Sequence, residues 1–189
     1  MNFCTQCGHT VVQKIPEGDA RLRYVCENCQ TVHYQNPKIV CGCLPVWEDK
    51  VLLCRRAIEP RRGFWTLPAG FMENGETTPE AAARETIEEA AAEVQIGELY
   101  ALFNIRHINQ VYMMFLANLK EGKFGVGEES LECRLFSEEE IPWDEIAFPT
   151  IKRSLYYYFD DRKKGSFPFR MRDIELDFRR TAEMVKGDD

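Results

Sequence analysis

Glu85, Glu88 and Glu89 stand at i, i+3 and i+4 in the stretch GFMENGETTPEAAARETIEEA (70–90), so a helix there would set all three on one face. Like charges at that spacing disfavour an isolated helix by roughly 0.2–0.5 kcal/mol per pair. Each carboxylate also opposes ionisation of the next. A solvated face is the ordinary place for glutamates, but three neighbours argue for another use. The loop LPAGFMENGE carries glycines that let backbone carbonyls come close, Arg84 sits beside the cluster, and Glu76 lies at the loop–helix junction eight residues before that arginine. A divalent ion reverses the electrostatics, because Mg²⁺ takes one to three carboxylates together with waters and phosphate oxygens. This face is therefore expected to bed Mg²⁺ or Mn²⁺.

A second constellation lies at the N-terminus. Cys4, Cys7, Cys26 and Cys29 follow the spacing C-x₂-C-x₁₈-C-x₂-C, which suits a closed tetrahedral zinc site of four thiolates. Iron is the other ion that such a set accepts. His9 and His33 lie nearby and are expected to be bystanders. Cys41, Cys43, Cys54 and Cys133 lack ligand spacing and read as small buried hydrophobes.

The elements that must carry these groups follow from pattern. Residues 1–35 are organised around cysteines. KIVCGCLPVW and KVLLCRR read as strands joined by a charged turn. The helix bearing the glutamates starts at Thr77, through a capping box with Glu80, or at Thr78 with Pro79 in the first turn. ELYALFNIRHINQVYMMFLANL and LECRLFS read as further strands, SEEEIPWDEIAF as a turn with a short helical piece, and TIKRSLYYYFDDRKKG as a second helix. The tail SFPFRMRDIELDFRRTAEMVKGDD is weakly patterned; its FPF is expected to dock on the body and its last residues to be loose. The order of elements points to an α/β fold, with boundaries at 1–35, 36–150 and 151–189.

The chain of 189 residues is 44% hydrophobic and 12% aromatic, with a formal charge of −7. That balance fits a globular core and argues against a general nucleic-acid binder. No apolar run suits a membrane span, and the N-terminal stretch lacks a signal-peptide layout, giving a cytoplasmic expectation with no membrane partner.

Gly70, Glu76, Arg84-Glu85 and Glu88-Glu89, in their spacing, resemble the Nudix box of the Nudix hydrolases. The family's glycine and aliphatic after the last glutamates are replaced by Ala91 and Ala92, and Thr86 stands at an aliphatic position. The resemblance implies a mixed sheet sandwiched between helices and hydrolysis of a nucleoside diphosphate derivative. It implies metal held by Glu85, Glu88, Glu89 and the Ala69 carbonyl, and an orienting ion pair between Glu76 and Arg84. The general base would be a box glutamate or a loop glutamate, either Glu128, Glu129 or Glu132; Glu132 is taken as the lead. Arg61 and Arg62, just ahead of the metal site, are expected to grip a diphosphate.

A zinc ribbon before a Nudix domain is similar to NADH pyrophosphatases, but their SQPWPFP-like segment is missing from 93–141. YQNPKIV, VLLCRRAIEP, WTLPAGFMENGE and ESLECRLF are closer to the ribbon-bearing FAD pyrophosphatases of plant chloroplasts. The leading expectation is a small-molecule dinucleotide substrate, FAD cleaved to FMN and AMP, with ADP-ribose second. The alternatives are an NADH pyrophosphatase, a nucleoside triphosphate hydrolase, or a non-catalytic module that senses nucleotides or binds nucleic acid. A homodimer is expected, with the ribbon or the tyrosine-rich second helix at its surface.

Overall fold

A computed structural model describes residues 1–175. The chain divides into two compact units, Met1–Pro37 and the part from Lys38 onward.

The first unit is a three-stranded antiparallel sheet of β1 (Val11–Lys14), β2 (Arg23–Cys26) and β3 (Val32–His33), in that order. Two tight turns carry the cysteine pairs. In one, the Gly8 N–H donates to the Cys4 carbonyl at 3.0 Å; in the other, the Cys26 N–H donates to the Thr31 carbonyl at 2.9 Å. Little apolar side chain is buried here, so a segment this small needs a metal to hold it.

The second unit is built on one large mixed sheet. Its path runs β10 (Ser130–Phe136), β5 (Lys50–Arg56), β4 (Lys38–Trp47), β9 (Gln110–Leu119), β8 (Val94–Ile105) and β11 (Arg170–Asp173). Two short strands, β6 (Trp65–Thr66) and β7 (Ala69–Phe71), pair with β5 and β4. The β4–β9 and β8–β11 pairs are parallel and the others antiparallel. Alternation along β4 sorts the two faces: Cys41 and Cys43 pack with Ala81 and Ala82 of α1 (Thr78–Ala90), whereas Leu44 packs in the cluster holding Ile151, Leu155 and Phe159 of α2 (Pro149–Lys164). The sheet is thus sandwiched between two helices, the α/β arrangement expected.

Thr77 is the N-cap of α1 and Thr78 its first residue, so both sequence signals are used. The Thr77 hydroxyl accepts from the Glu80 N–H while Glu80 Oε2 accepts from the Thr77 N–H at 2.7 Å. Pro79 occupies the first turn, where its missing N–H costs nothing.

Two details differ from the sequence expectation. Strand β11 had no sequence signal; it lies parallel to β8, from Arg170 opposite Ala101 to Asp173 opposite Asn104. Arg170 holds it there by pairing with the buried Asp161 carboxylate, which also accepts from the Tyr100 hydroxyl at 2.6 Å. Burial alone would raise the Asp161 pKa, but these two donors more than offset it and leave it lowered. The tyrosine run of α2 is in part engaged within the chain, although Tyr156 stays exposed. Tyr156 stacks on Trp143 with centroids 4.2 Å apart, Tyr157 lies under the Arg170 guanidinium at 4.6 Å, and Tyr158 is buried. Phe167 packs against Tyr100 and Tyr158, so the FPF segment does dock. The expectation for the last residues concerns 176–189, outside the described residues.

Candidate functional site

In the ribbon, the sulfurs of Cys4, Cys7, Cys26 and Cys29 all lie within 4.8 Å of one another. Individual separations are 3.6 Å for Cys4–Cys29, 3.4 Å for Cys7–Cys26 and 3.5 Å for Cys7–Cys29. Four sulfurs about 2.3 Å from a central zinc would stand roughly 3.8 Å apart, so the set fits a tetrahedral thiolate site. The Thr31 hydroxyl and N–H beside Cys29 bring its thiol down to about 6, towards the thiolate that binds metal. His33 lies outside the ligand set but beside it, its Nε2 3.3 Å from Cys4 Sγ in a buried setting. His9 instead sits exposed, with Nδ1 3.2 Å from the Cys7 carbonyl.

In the second unit, α1 and the loop before it gather the box residues. Arg84 is their hub. Its Nε and Nη2 donate to Glu76 at 3.0 and 2.8 Å, its Nη1 to Glu85 at 2.8 Å and Glu88 at 3.0 Å, and its Nη2 also to the Phe71 carbonyl at 3.0 Å. Glu76 further accepts the Glu73 N–H at 2.5 Å. Glu85 lies directly against Gly70, where any added Cβ would fall inside its carboxyl group. Only glycine lets strand β7 pass that close. Ala69, expected to offer its carbonyl, donates its N–H to Glu89 Oε2 at 3.3 Å.

Burial sorts the glutamates electrostatically. Glu85 and Glu89 are 8% and 5% exposed, whereas Glu88 faces solvent. Desolvation, then the charge of Glu85, pushes Glu89 up to about 8. Desolvation also raises Glu85, although Arg84 opposes it. Arg84 holds Glu76 down at about 2. Two carboxylates packed together and reluctant to ionise are what a hard divalent cation would relieve. Among the described residues only the four cysteines bring three or more ligand atoms within 4.8 Å of each other; Glu76, Glu85 and Glu88 converge on Arg84 instead, and Glu89 on the Ala69 N–H. Their hard oxygen donors still fit Mg²⁺ or Mn²⁺ in kind.

The loop glutamates separate clearly. Glu132 on β10 faces Arg55 at 3.8 Å, and strand alternation sends it to the face opposite Cys133, which touches α1. Glu129 is the loop residue whose negative charge acts on both Glu85 and Glu89. The β5–β10 register shifts between Ser130 and Glu132, which sequence spacing does not reveal. Arg61 and Arg62 are exposed, and the Arg61 guanidinium lies 5.5 Å from the Phe64 ring centroid. Arg56 escaped sequence reasoning. It ends β5, lies over Phe148 at 5.2 Å, and its positive charge reaches both Glu89 and Tyr112. Its immediate neighbourhood to the strand end was the only available signal.

Thr86 departs from the family's aliphatic but is satisfied: its hydroxyl donates to the Ala82 carbonyl at 2.7 Å and meets Cys43 Sγ at 3.1 Å. Ala91, at the family's glycine position, caps α1 in the left-handed region with φ 44°.

Comparison with known proteins agrees with this geometry. The Nudix N-terminal zinc-ribbon model matches residues 2–35, and the NUDIX domain model matches residues 37–169. A Nudix hydrolase from Nitrosomonas europaea has a crystal structure with 57% identity and a TM-score of 0.90, covering 92% of this chain and 99% of that one. An ADP-ribose pyrophosphatase from Streptococcus suis, 21% identical with a TM-score of 0.58, covers 74% of this chain and all of its own, and shares the fold. Among curated proteins, the NAD-capped RNA hydrolase NudC of Edwardsiella ictaluri is 32% identical over 129 residues, 64% of this chain and 45% of its own. That of Photobacterium profundum is 28% identical over 145 residues, 75% of this chain and 52% of its own. The chain spans about half the length of these curated relatives. None of the relatives named here bears the name of an FAD pyrophosphatase. The chain belongs to the Nudix hydrolase family, its Nudix domain preceded by the family's N-terminal zinc ribbon.

Proposed function

We propose that this chain hydrolyses the diphosphate of a dinucleotide, with NADH as the lead substrate, cleaved to AMP and the reduced nicotinamide mononucleotide. The observation that carries the reading is the intact set, with Glu76, Glu85 and Glu88 bonded to Arg84, Glu85 packed against Gly70, and Glu89 accepting the Ala69 N–H. The choice of NADH over FAD rests on the names of the curated relatives. Net charge of −7 favours a small dinucleotide over a long RNA as the substrate.

Glu85, Glu88 and Glu89, with Ala69, would hold Mg²⁺ or Mn²⁺. The bound ion supplies Lewis-acid polarisation of phosphoryl oxygens and lowers the pKa of water. Arg84, itself anchored by Glu76, holds the Glu85 and Glu88 carboxylates by hydrogen bonds and so limits their motion. Glu129 is the proposed acceptor of the proton from the attacking water, in place of Glu132. Arg56, Arg61 and Arg62 counter the diphosphate charge. The ribbon's zinc is structural in this scheme, because its ligands leave no open position.

FAD is the second reading, favoured by the wording of residues 34–40 and 65–76 and by the missing SQPWPFP-like segment. Chromatographic comparison of kcat/KM for NADH, FAD and ADP-ribose tests the choice. NADH leading supports the proposal; FAD leading replaces the substrate, and turnover of none removes the dinucleotide reading. Light scattering on the same sample tests the homodimer expectation.

A further inference from the structure

Cys54 and Cys133, read from sequence as small buried hydrophobes, stand directly opposite each other on β5 and β10. Their sulfurs are 3.5 Å apart. Cys54 is buried, but Cys133 is partly exposed and its thiol donates to the Glu89 carbonyl at 3.4 Å. Residues directly opposed in an antiparallel pair have Cα atoms about 4.5–5.5 Å apart, inside the roughly 4.4–6.8 Å span of disulfides. Closing the sulfurs to about 2.05 Å requires side-chain rotation without separation of the strands.

We propose that Cys54 and Cys133 form a modification site, a dithiol that a hydroperoxide converts to an intramolecular disulfide that weakens metal binding through Glu89. The sulfur of Cys133, the less buried residue of the pair, attacks a peroxide oxygen. The O–O bond breaks, one oxygen leaves as water or alcohol with the thiol proton, and Cys133 becomes a sulfenic acid. The Cys54 sulfur then attacks Cys133 sulfur, the S–S bond forms, the S–O bond breaks, and hydroxyl leaves as water with the Cys54 proton. Two thiols lose two electrons in all, and the peroxide takes them.

The consequence follows from how α1 ends. The Glu89 carbonyl accepts the Gly127 N–H at 3.1 Å and the Cys133 thiol, while the Ala90 carbonyl accepts the Gly125 N–H at 2.7 Å. The backbone of Gly127 lies so close to Glu88 that a Cβ there would overlap the Glu88 carbonyl. Disulfide formation removes the thiol proton from this packed seam and draws Cys133 towards Cys54. Glu89 carries a carboxylate of the proposed metal face, so this second half rests on the reading of that face given above.

The test uses the zinc-loaded full chain. After hydrogen peroxide treatment, differential alkylation and peptide mapping should yield a crosslinked peptide pair containing Cys54 and Cys133, reversed by dithiothreitol. Mn²⁺ affinity, measured by calorimetry, should fall by up to about tenfold on oxidation, the scale of one lost hydrogen bond, and recover on reduction. Cys133→Ser removes the sulfur that peroxide attacks and should show no peroxide-dependent change in Mn²⁺ affinity; Cys133→Ala serves if that variant does not fold. Both thiols remaining alkylatable, or Cys133 advancing to a sulfinic acid without a crosslink, would overturn the site. A crosslink with unchanged Mn²⁺ affinity would overturn the coupling. A reduced protein that binds no Mn²⁺ would overturn the coupling together with the metal reading, while the peptide map still decides the disulfide.

Discussion

Arg84 grips Glu76 with two hydrogen bonds, 3.0 Å from Nε and 2.8 Å from Nη2, and spends its remaining Nη1 on Glu85 and Glu88. The ion pair is thus a strut between the loop and the carboxylate face. Replacing Glu76 by Gln should lower kcat/KM by about tenfold to a hundredfold, the usual cost of misplacing catalytic groups. The same variant reports on pH. Arg84 depresses the Glu76 pKa from 4.5 to about 2, so its contribution to stability is fully present above 4.5 and is lost as pH falls towards 2. Thermal midpoints of the parent and Glu76→Gln should differ at neutral pH and converge across that acidic window. A constant gap would contradict the assignment.

Ala91 caps α1 with φ 44° and ψ 39°, in the left-handed region where a Cβ is disfavoured. Ala91→Gly should stabilise the protein by about 0.5–1 kcal/mol, the relief being partly offset by a more flexible unfolded chain. Denaturant unfolding measures it, and kcat should not change.

Much of this layout is legible in the chain because its signals are local. The thiolate spacing, the capping box at Thr77 and the apolar runs of β4, β5 and β9 each declare themselves within a few residues. What stays hidden depends on distant partners. RMRD carries no apolar alternation, and β11 exists because Arg170 meets Asp161 and the strand finds β8. The facing of Cys54 and Cys133 depends on inter-strand register.

Asp161 is 1% exposed and satisfied by Arg170 and Tyr100. Arg170→Ala should therefore cost about 3 kcal/mol, since it strands a buried charge. Arg170→Met with Asp161→Asn should recover part of that loss. Urea titration of the three proteins decides, and equal destabilisation of single and double variants would contradict the pairing.

His33 lies 3.3 Å from Cys4 Sγ, placed to support a thiolate that binds zinc. His33→Ala should weaken zinc binding about 10–100-fold in a chelator competition, the range for lost outer partners of metal ligands. Hydrogen exchange within residues 1–37 should rise at the same time. Unaltered zinc affinity would return His33 to the bystander role.

The central claim is that the buried carboxylate face of α1 runs a metal-dependent hydrolysis. Its most direct test is AMP release from NADH with and without Mg²⁺ or Mn²⁺, for the parent chain and for Glu89→Gln. The account predicts release only with the ion present and a fall of about a hundredfold or more in the variant. Release that persists without divalent metal, or at parent rates in Glu89→Gln, would contradict it.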